Sequence, residues 1–290
     1  MRYYRVPDNG DSRLIAVRGT GEDEAAADLS ADDPAVTTVA DLVSDGDGDG
    51  LDAAAEPLFE TAPRVDPDGV KRRALTVGAG EIWAAGVTYQ ISEEAREAES
   101  GMPDLYLDVY EAERPELFFK ATPSRTVGSM DAIGIRADSG WDVPEPELGI
   151  VLVDGEIVGY TIGNDVSSRA IEGENALYLP QAKMYERCCA VGPCVVSPAT
   201  VGDPHDLEMT MTIERDESVV FEGTATTADM VRTVEELTEY LTRHNVLPEL
   251  CVLLTGTSLV PPEEFTLQPG DWITIDIEDI GRLENTVVTV

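Results

Sequence analysis

The chain has 290 residues, enough for one large domain, or a large and a small one, with a substantial core. Its 57 acidic residues against 20 basic ones give a net charge of −37, which argues against nucleic acid and anionic membrane as partners because both would repel it. Disorder does not fit either: 42 % of the residues are apolar and recur in strand-like and helix-like blocks, so the charge reads as adaptation to high salt, where ions screen self-repulsion.

Residues 1–6 carry no apolar signal segment, and no stretch approaches the roughly 18 apolar residues of a membrane span, so a cytoplasmic location is expected. A strand is predicted at 14–17 and a short helix at 39–43. Thirteen acidic residues and no basic one lie between Glu22 and Glu60, which suggests a small, solvated N-terminal unit. The basic cluster Lys71-Arg72-Arg73 follows, and the domains are placed at 1–74 and 75–290. Within the acidic stretch, Asp45, Asp47, Asp49, Gly50 and Glu56 match a calcium-loop pattern, which would make the chain a calcium-binding module. Asp52 stands where such loops bury an apolar residue, and Pro57 is expected to interrupt the exiting helix, so this is the weaker reading.

The remainder mixes short strands with turn signals, an antiparallel-rich β pattern. Residues 148–153 and 156–161 flank Asp154-Gly155, a dipeptide that favours a two-residue hairpin. Cys188, Cys189, Cys194 and Cys251 have neither zinc-ligand nor disulfide spacing and are read as small apolar residues of a reduced compartment. His205 and His244 are read as structural. Strands are predicted at 219–221 and 272–277, and a helix at 234–244 with Thr233 and Glu236 as its capping box. Leu237, Tyr240 and Leu241 would form that helix's apolar stripe.

The chemistry concentrates around residue 145. Glu145 and Glu147 are two apart, so on a strand both carboxylates point to one face. Asp165 lies on the returning arm of the hairpin. Oxygen-only ligands suit magnesium, calcium or manganese rather than zinc. A strict two-residue turn pairs positions summing to 309, which sets Glu145 opposite Asn164 and gives Asp165 the wrong parity. A metal site therefore requires an irregularity between residues 159 and 165: a bulge, with Gly159 or Gly163 as its natural host, or a chain that turns out of the strand at Asn164. Lys183, one of three lysines with Lys71 and Lys120, is the retained cation beside these acids.

Glu145-Pro146-Glu147-Leu148, Gly159-Tyr160-Thr161, Asn164-Asp165-Val166-Ser167-Ser168-Arg169 and Gln181-Ala182-Lys183 together resemble the fumarylacetoacetate hydrolase family. Gly192-Pro193, Leu254-Thr255-Gly256-Thr257, Pro269-Gly270-Asp271 and Ile280-Gly281-Arg282 carry the resemblance toward the C-terminus, over roughly residues 80–290. It implies an α+β, β-rich fold, a mixed β-sandwich roll with a small N-terminal domain. It further implies Mg2+ (or Ca2+ or Mn2+) on Glu145, Glu147 and Asp165, Lys183 facing substrate, and an acid group bound near Gly256 and Thr257. The family's segment with a water-activating histidine reads Gly86-Val87-Thr88-Tyr89-Gln90-Ile91-Ser92 here, with serine at the histidine position, which puts carbon–carbon hydrolysis in doubt.

Within the family, residues 86–89, 110–120 and 172–183 are most similar to 2-keto-3-deoxy-pentonate dehydratases. The expected partner is then a small 2-oxo sugar acid, with a homo-oligomer by family analogy; acylpyruvate hydrolysis and oxaloacetate decarboxylation are the alternatives on the same site. Lys183 would transfer a proton or hold negative charge, Glu172 is the other candidate base, and Arg169 would pair with a carboxylate. A lysine base must be neutral, which burial favours and carboxylates oppose, so both roles for Lys183 stay open. Lys120 is read as structural.

Overall fold

In a computed structural model, residues 1–43, 50–72, 74–89 and 108–290 are described. Most of the calcium-loop pattern, and Gln90, Ile91 and Ser92, lie outside them. The large sheet runs in the order Arg64–Val65, Ala25–Asp28, Asp11–Arg18, Arg2–Asp8, Cys189–Val196, Glu156–Asp165, Pro146–Val153, Leu250–Leu254, Glu81–Gly86 and Glu116–Ala121, with Thr126–Val127 beside Cys189–Val196. A five-stranded sheet orders Ser218–Thr226, Glu208–Arg215, Trp272–Ile277, Gly281–Thr289 and Ala132–Ile135. Most pairings are antiparallel, and Leu250–Leu254 with Glu81–Gly86 is among the parallel ones, so both sheets are mixed. This is the expected β-rich sandwich roll.

Pro146–Val153 is buried at every position, which explains why residues 148–153 read as an unbroken apolar run rather than an alternating one. Ile150 and Leu152 enter the core shared with the five-stranded sheet. Val151 and Val153 point the other way, into a second core closed by Leu29, Val39, Leu42, Leu51 and Phe59 from the N-terminal segment. That segment also extends the large sheet, through Arg2 opposite Val196 and Tyr3 opposite Val195. The family-like strands and the N-terminal strands are thus parts of one sheet.

Helix 39–43 is found as Val39–Val43. Pro57 does not end the next helix, contrary to expectation: Leu51–Thr61 runs through it, closing with Ala62 N–H donating to the Leu58 carbonyl. Asp52 and Glu56 of the calcium pattern have other partners, the N-terminal amine at 2.9 Å for Asp52 and the Arg18 guanidinium for Glu56. The C-terminal helix, Val234–Thr242, stops before His244; of the expected capping box the Thr233 half is found, its Oγ1 accepting from the Glu236 amide at 3.1 Å, while the Glu236 carboxylate accepts from Arg232 at 2.7 Å. His205 is structural, its Nε2 accepting the Val234 N–H at 3.1 Å. The four cysteines are buried and free. Among the described residues no helix is long and apolar enough to cross a membrane.

The hairpin that carries the site turns at Asp154 (φ 50°) and Gly155 (φ 86°), the left-handed pair a two-residue turn demands. Near the turn the register is the simple one, Val153 opposite Glu156 and Leu152 opposite Ile157. It then shifts, so that Val151 faces Gly159, Glu147 faces Gly163 and Pro146 faces Asn164. The extra residue is Val158, one position before the expected window and at neither expected glycine. Gly159 instead permits close approach of the next strand: a Cβ there would lie 2.6 Å from the Val196 carbonyl oxygen. The shift corrects the parity all the same, and the Asp165 amide donates to the Glu145 carbonyl at 2.9 Å. Glu145, Glu147 and Asp165 now share a face, the one that Val151 and Val153 bury further along.

Candidate metal centre and active site

The open end of the hairpin is held by a short ribbon, Asp142–Val143 paired with Ser167–Ser168, through which the chain enters and leaves. Glu145 and Asp165 are therefore flanked on both sides by paired backbone. Oxygens of Glu145, Glu147 and Asp165 lie within 4.8 Å of one another and all three residues are buried. Ser168 caps the helix Arg169–Glu174, its Oγ accepting from the Ile171 amide at 3.3 Å, and this cap sets Arg169 beside Glu145. Glu172, one turn on, reaches the other side of the guanidinium. Lys183 ends the short helix Leu179–Lys183, so its side chain projects back into the cluster.

The contacts are dense. Lys183 Nζ donates to Glu145 Oε2 at 2.8 Å, Asp165 Oδ2 at 3.1 Å and Ser167 Oγ at 2.6 Å, which uses all three ammonium protons. Arg169 Nη2 lies 3.1 Å from Glu145 Oε1, and Nη1 lies 3.5 Å from Glu172. Glu147 accepts the Gly256 N–H at 2.6 Å. That amide comes from a turn where Gly256 has φ +83° and a Cβ would lie 2.2 Å from Thr88 Oγ1, so only glycine fits. The turn expected to bind an acid group thus spends its central N–H on Glu147. Thr255 spends its hydroxyl on the Leu148 carbonyl at 3.0 Å, while Thr257 remains on the cavity wall.

These contacts set the ionisation. Burial alone would raise the pKa of Glu145, but the charges of Lys183 and Arg169 outweigh it and hold the carboxyl at about 2. Glu147 is pushed well above the usual carboxylate range by burial, then by the charges of Asp165 and Glu145. Lys183 moves the other way from a desolvated lysine: burial favours the neutral amine, but Asp165 and Glu145 keep it an ammonium. Three converging carboxylates, one of them hydrogen-bonded among the described residues by a backbone amide alone, form a hard-oxygen donor set whose repulsion a divalent cation would relieve. The residues present fit such an ion.

Lys120 plays a larger part than its sequence context suggested. It is the extra residue of a bulge in which Ile82 pairs with Ala121 and Trp83 with Phe119, and its side chain is completely buried. It forms an ion pair with Asp165 Oδ1 and donates to the carbonyls of Val166 at 2.9 Å and Lys183 at 2.5 Å. Asp165 and the Lys183 backbone are thus tied to one buried charge. Lys120→Met is expected to destabilise the metal-free protein by ~3 kcal/mol, the scale for removing one partner of a buried pair. Urea unfolding at fixed salt measures this, and an unchanged midpoint would make the ion pair energetically irrelevant.

All the residues singled out in the sequence (Glu145, Glu147, Asp165, Arg169, Glu172, Lys183, Gly256 and Thr257) line a single cavity. Glu116 and Tyr89 line it too, and neither was assigned a role from sequence. Glu116 rests over Gly86, where a Cβ would lie 2.1 Å from its Oε2. Burial raises its pKa, with Lys183 opposing and Glu172, Glu145 and Asp165 reinforcing. The available signal was the strand period, which sets Glu116 on the same face as Phe118, another wall residue.

The profile described as Fumarylacetoacetate (FAA) hydrolase C-terminal matches residues 81–288. The chain is 59 % identical over 293 residues to a "Probable 2-keto-3-deoxyxylonate dehydratase" of Haloferax volcanii, covering 100 % of each. It is 45 % identical over 208 residues to a "2-dehydro-3-deoxy-D-arabinonate dehydratase" of Saccharolobus solfataricus, covering 70 % of each. Among solved structures, "2-keto-3-deoxy-D-arabinonate dehydratase complexed with magnesium and 2,5-dioxopentanoate" superposes with a TM-score of 0.84 at 34 % identity, covering 100 % of this chain and 99 % of that one. The sheet order, the acidic cluster at the hairpin's open end and these likenesses agree: the chain belongs to the fumarylacetoacetate hydrolase family.

Proposed function

We propose that this protein is a metal-dependent hydro-lyase that converts a 2-keto-3-deoxy-pentonate to 2,5-dioxopentanoate. The observation that carries the reading is a buried three-carboxylate cluster, fit for a divalent ion, in a chain 59 % identical along its whole length to a probable 2-keto-3-deoxyxylonate dehydratase. Glu145, Glu147 and Asp165 would hold the ion, magnesium by analogy with the magnesium-bound structure of the similar arabinonate dehydratase. When bound, it supplies Lewis-acid polarisation of the 2-oxo acid, which acidifies the protons on carbon 3.

The side chains divide the remaining work. The charge environment of Lys183 supports the second of its two expected roles: it stays an ammonium, and its N–H groups, freed where the Glu145 and Asp165 oxygens turn to the ion, would hold negative charge that develops on a substrate oxygen. Glu172, at the cavity wall and oriented by Arg169, takes the proton from carbon 3. Glu116, which burial favours in its protonated form, gives a proton to the hydroxyl leaving carbon 4, so that water departs. Tautomerisation of the resulting enone delivers the aldehyde.

The test uses purified protein with magnesium at high salt, offered a 2-keto-3-deoxy-pentonate, an acylpyruvate and oxaloacetate side by side. Formation of 2,5-dioxopentanoate with the other two inert is the expected result. Turnover of either alternative without the pentonate would replace this reading.

A further inference from the structure

Residues 86–89 line the same cavity as Arg169 and Lys183, and they contain two features that the mechanism leaves unused. Tyr89 is 1 % exposed, and its hydroxyl has no hydrogen-bond partner among the described residues. Val87 has φ 54°, a left-handed conformation that a β-branched residue adopts only under strain. Both residues line the cavity. An unmade hydrogen bond on a buried hydroxyl and a strained backbone both cost stability, so each needs a reason to persist.

The surrounding contacts hold this arrangement in place. Tyr89 forms a backbone bridge with Met230, the Thr88 carbonyl accepts the Val231 N–H at 2.8 Å, and Thr88 Oγ1 donates to the Thr255 carbonyl at 2.5 Å. The backbone that carries the phenol is therefore fixed, and the phenolic donor is unspent among the described residues. The cationic side chains on the described wall, Arg169 and Lys183, are by contrast already engaged with Glu145, Glu172 and Asp165. An anionic oxo-acid entering so acidic a cavity gains from a neutral donor beside the charged groups that the mechanism uses. Burial, then the charges of Glu147 and Asp229, keep the phenol un-ionised, so an O–H is always available.

We infer that Tyr89 is a substrate-binding residue whose phenolic O–H donates to an oxygen of the 2-oxo-acid head, and that the left-handed turn at Val87 exists to present it. This rests on the dehydratase reading for the identity of the substrate, but concerns binding of the head group alone. A site built to hydrogen-bond an oxygen discriminates through the donor it would otherwise leave unpaired.

The experiment compares Tyr89→Phe with the parent protein, magnesium-loaded, using 2-oxopentanoate as a probe that has the head but lacks the hydroxyls on carbons 4 and 5. The dissociation constant of 2-oxopentanoate should rise about tenfold, and KM for the pentonate by a similar factor, with kcat less affected. Magnesium affinity should not change, and the ligand-free melting temperature should hold or rise, because an unsatisfied polar atom has been removed. Unchanged 2-oxopentanoate binding, or a loss confined to the pentonate, overturns the assignment to the head group. So does a parallel fall in magnesium affinity. A parent protein that binds 2-oxopentanoate without dehydrating the pentonate would sink the dehydratase reading and leave Tyr89 in place.

Discussion

Glu145→Ala is expected to abolish turnover and to weaken magnesium binding by more than ~100-fold, beyond the loss typical of residues that only support a ligand. Glu145 is the hub of the charge network, in contact with Lys183 at 2.8 Å and Arg169 at 3.1 Å. Removing it leaves two buried cations short of a partner, with a stability cost on the order of 3–5 kcal/mol. Calorimetric titration of magnesium must therefore be read on protein shown to be folded, at high salt. Glu145→Gln separates charge from shape: it should retain more stability than alanine and still fail to bind the ion tightly. Full activity in Glu145→Ala would remove Glu145 from the ligand set.

The pH dependence of metal binding has a definite sign. Glu145, held at about 2, is ionised throughout any practical range. Glu147, raised by burial and by Asp165 and Glu145, protonates before Glu145 as pH falls. Magnesium must displace that proton, so affinity should decline on acidification well before Glu145 titrates.

Lys183→Met should behave in the opposite way toward the metal. Lys183 occupies one oxygen each of Glu145 and Asp165, so its removal leaves those oxygens free for the ion, and magnesium affinity should be retained or increased. The loss should fall on kcat, by ~10²–10³, the scale for removing a preorganised donor to developing negative charge. Lys183→Arg keeps the charge but not the compact three-way donation to Glu145, Asp165 and Ser167, and should recover only part of the rate. A wild-type kcat in Lys183→Met would exclude the residue from the chemistry. Activity that grows only as Lys183 loses its proton at alkaline pH would instead identify it as the base.

Local physics made much of this legible from the residues. Asp154-Gly155 marked the turn because it needs two left-handed residues, and Thr233 marked a helix start because its hydroxyl accepts from the Glu236 amide. The apolar run at 148–153 reflected burial on both faces. The position of the bulge was not legible. Glycine's freedom pointed to Gly159 or Gly163, yet both glycines sit under close neighbours, Val196 and Leu254, and the extra residue is Val158. Pro57 misled for a related reason: its rule concerns an isolated helix, whereas Leu51–Thr61 is pinned to the second core through Leu51, Ala55 and Phe59.

By itself the sequence determined the identity of the acidic trio, their facing arms and the presence of a rare lysine beside them, because strand period and turn chemistry act over a few residues. Only the tertiary structure decided that Val158 shifts the register, that Lys120 underpins Asp165, and that Glu116 and Tyr89 complete the wall. Those outcomes depend on strands brought together from distant parts of the chain, where packing and desolvation, rather than local pattern, select which side chain faces the site.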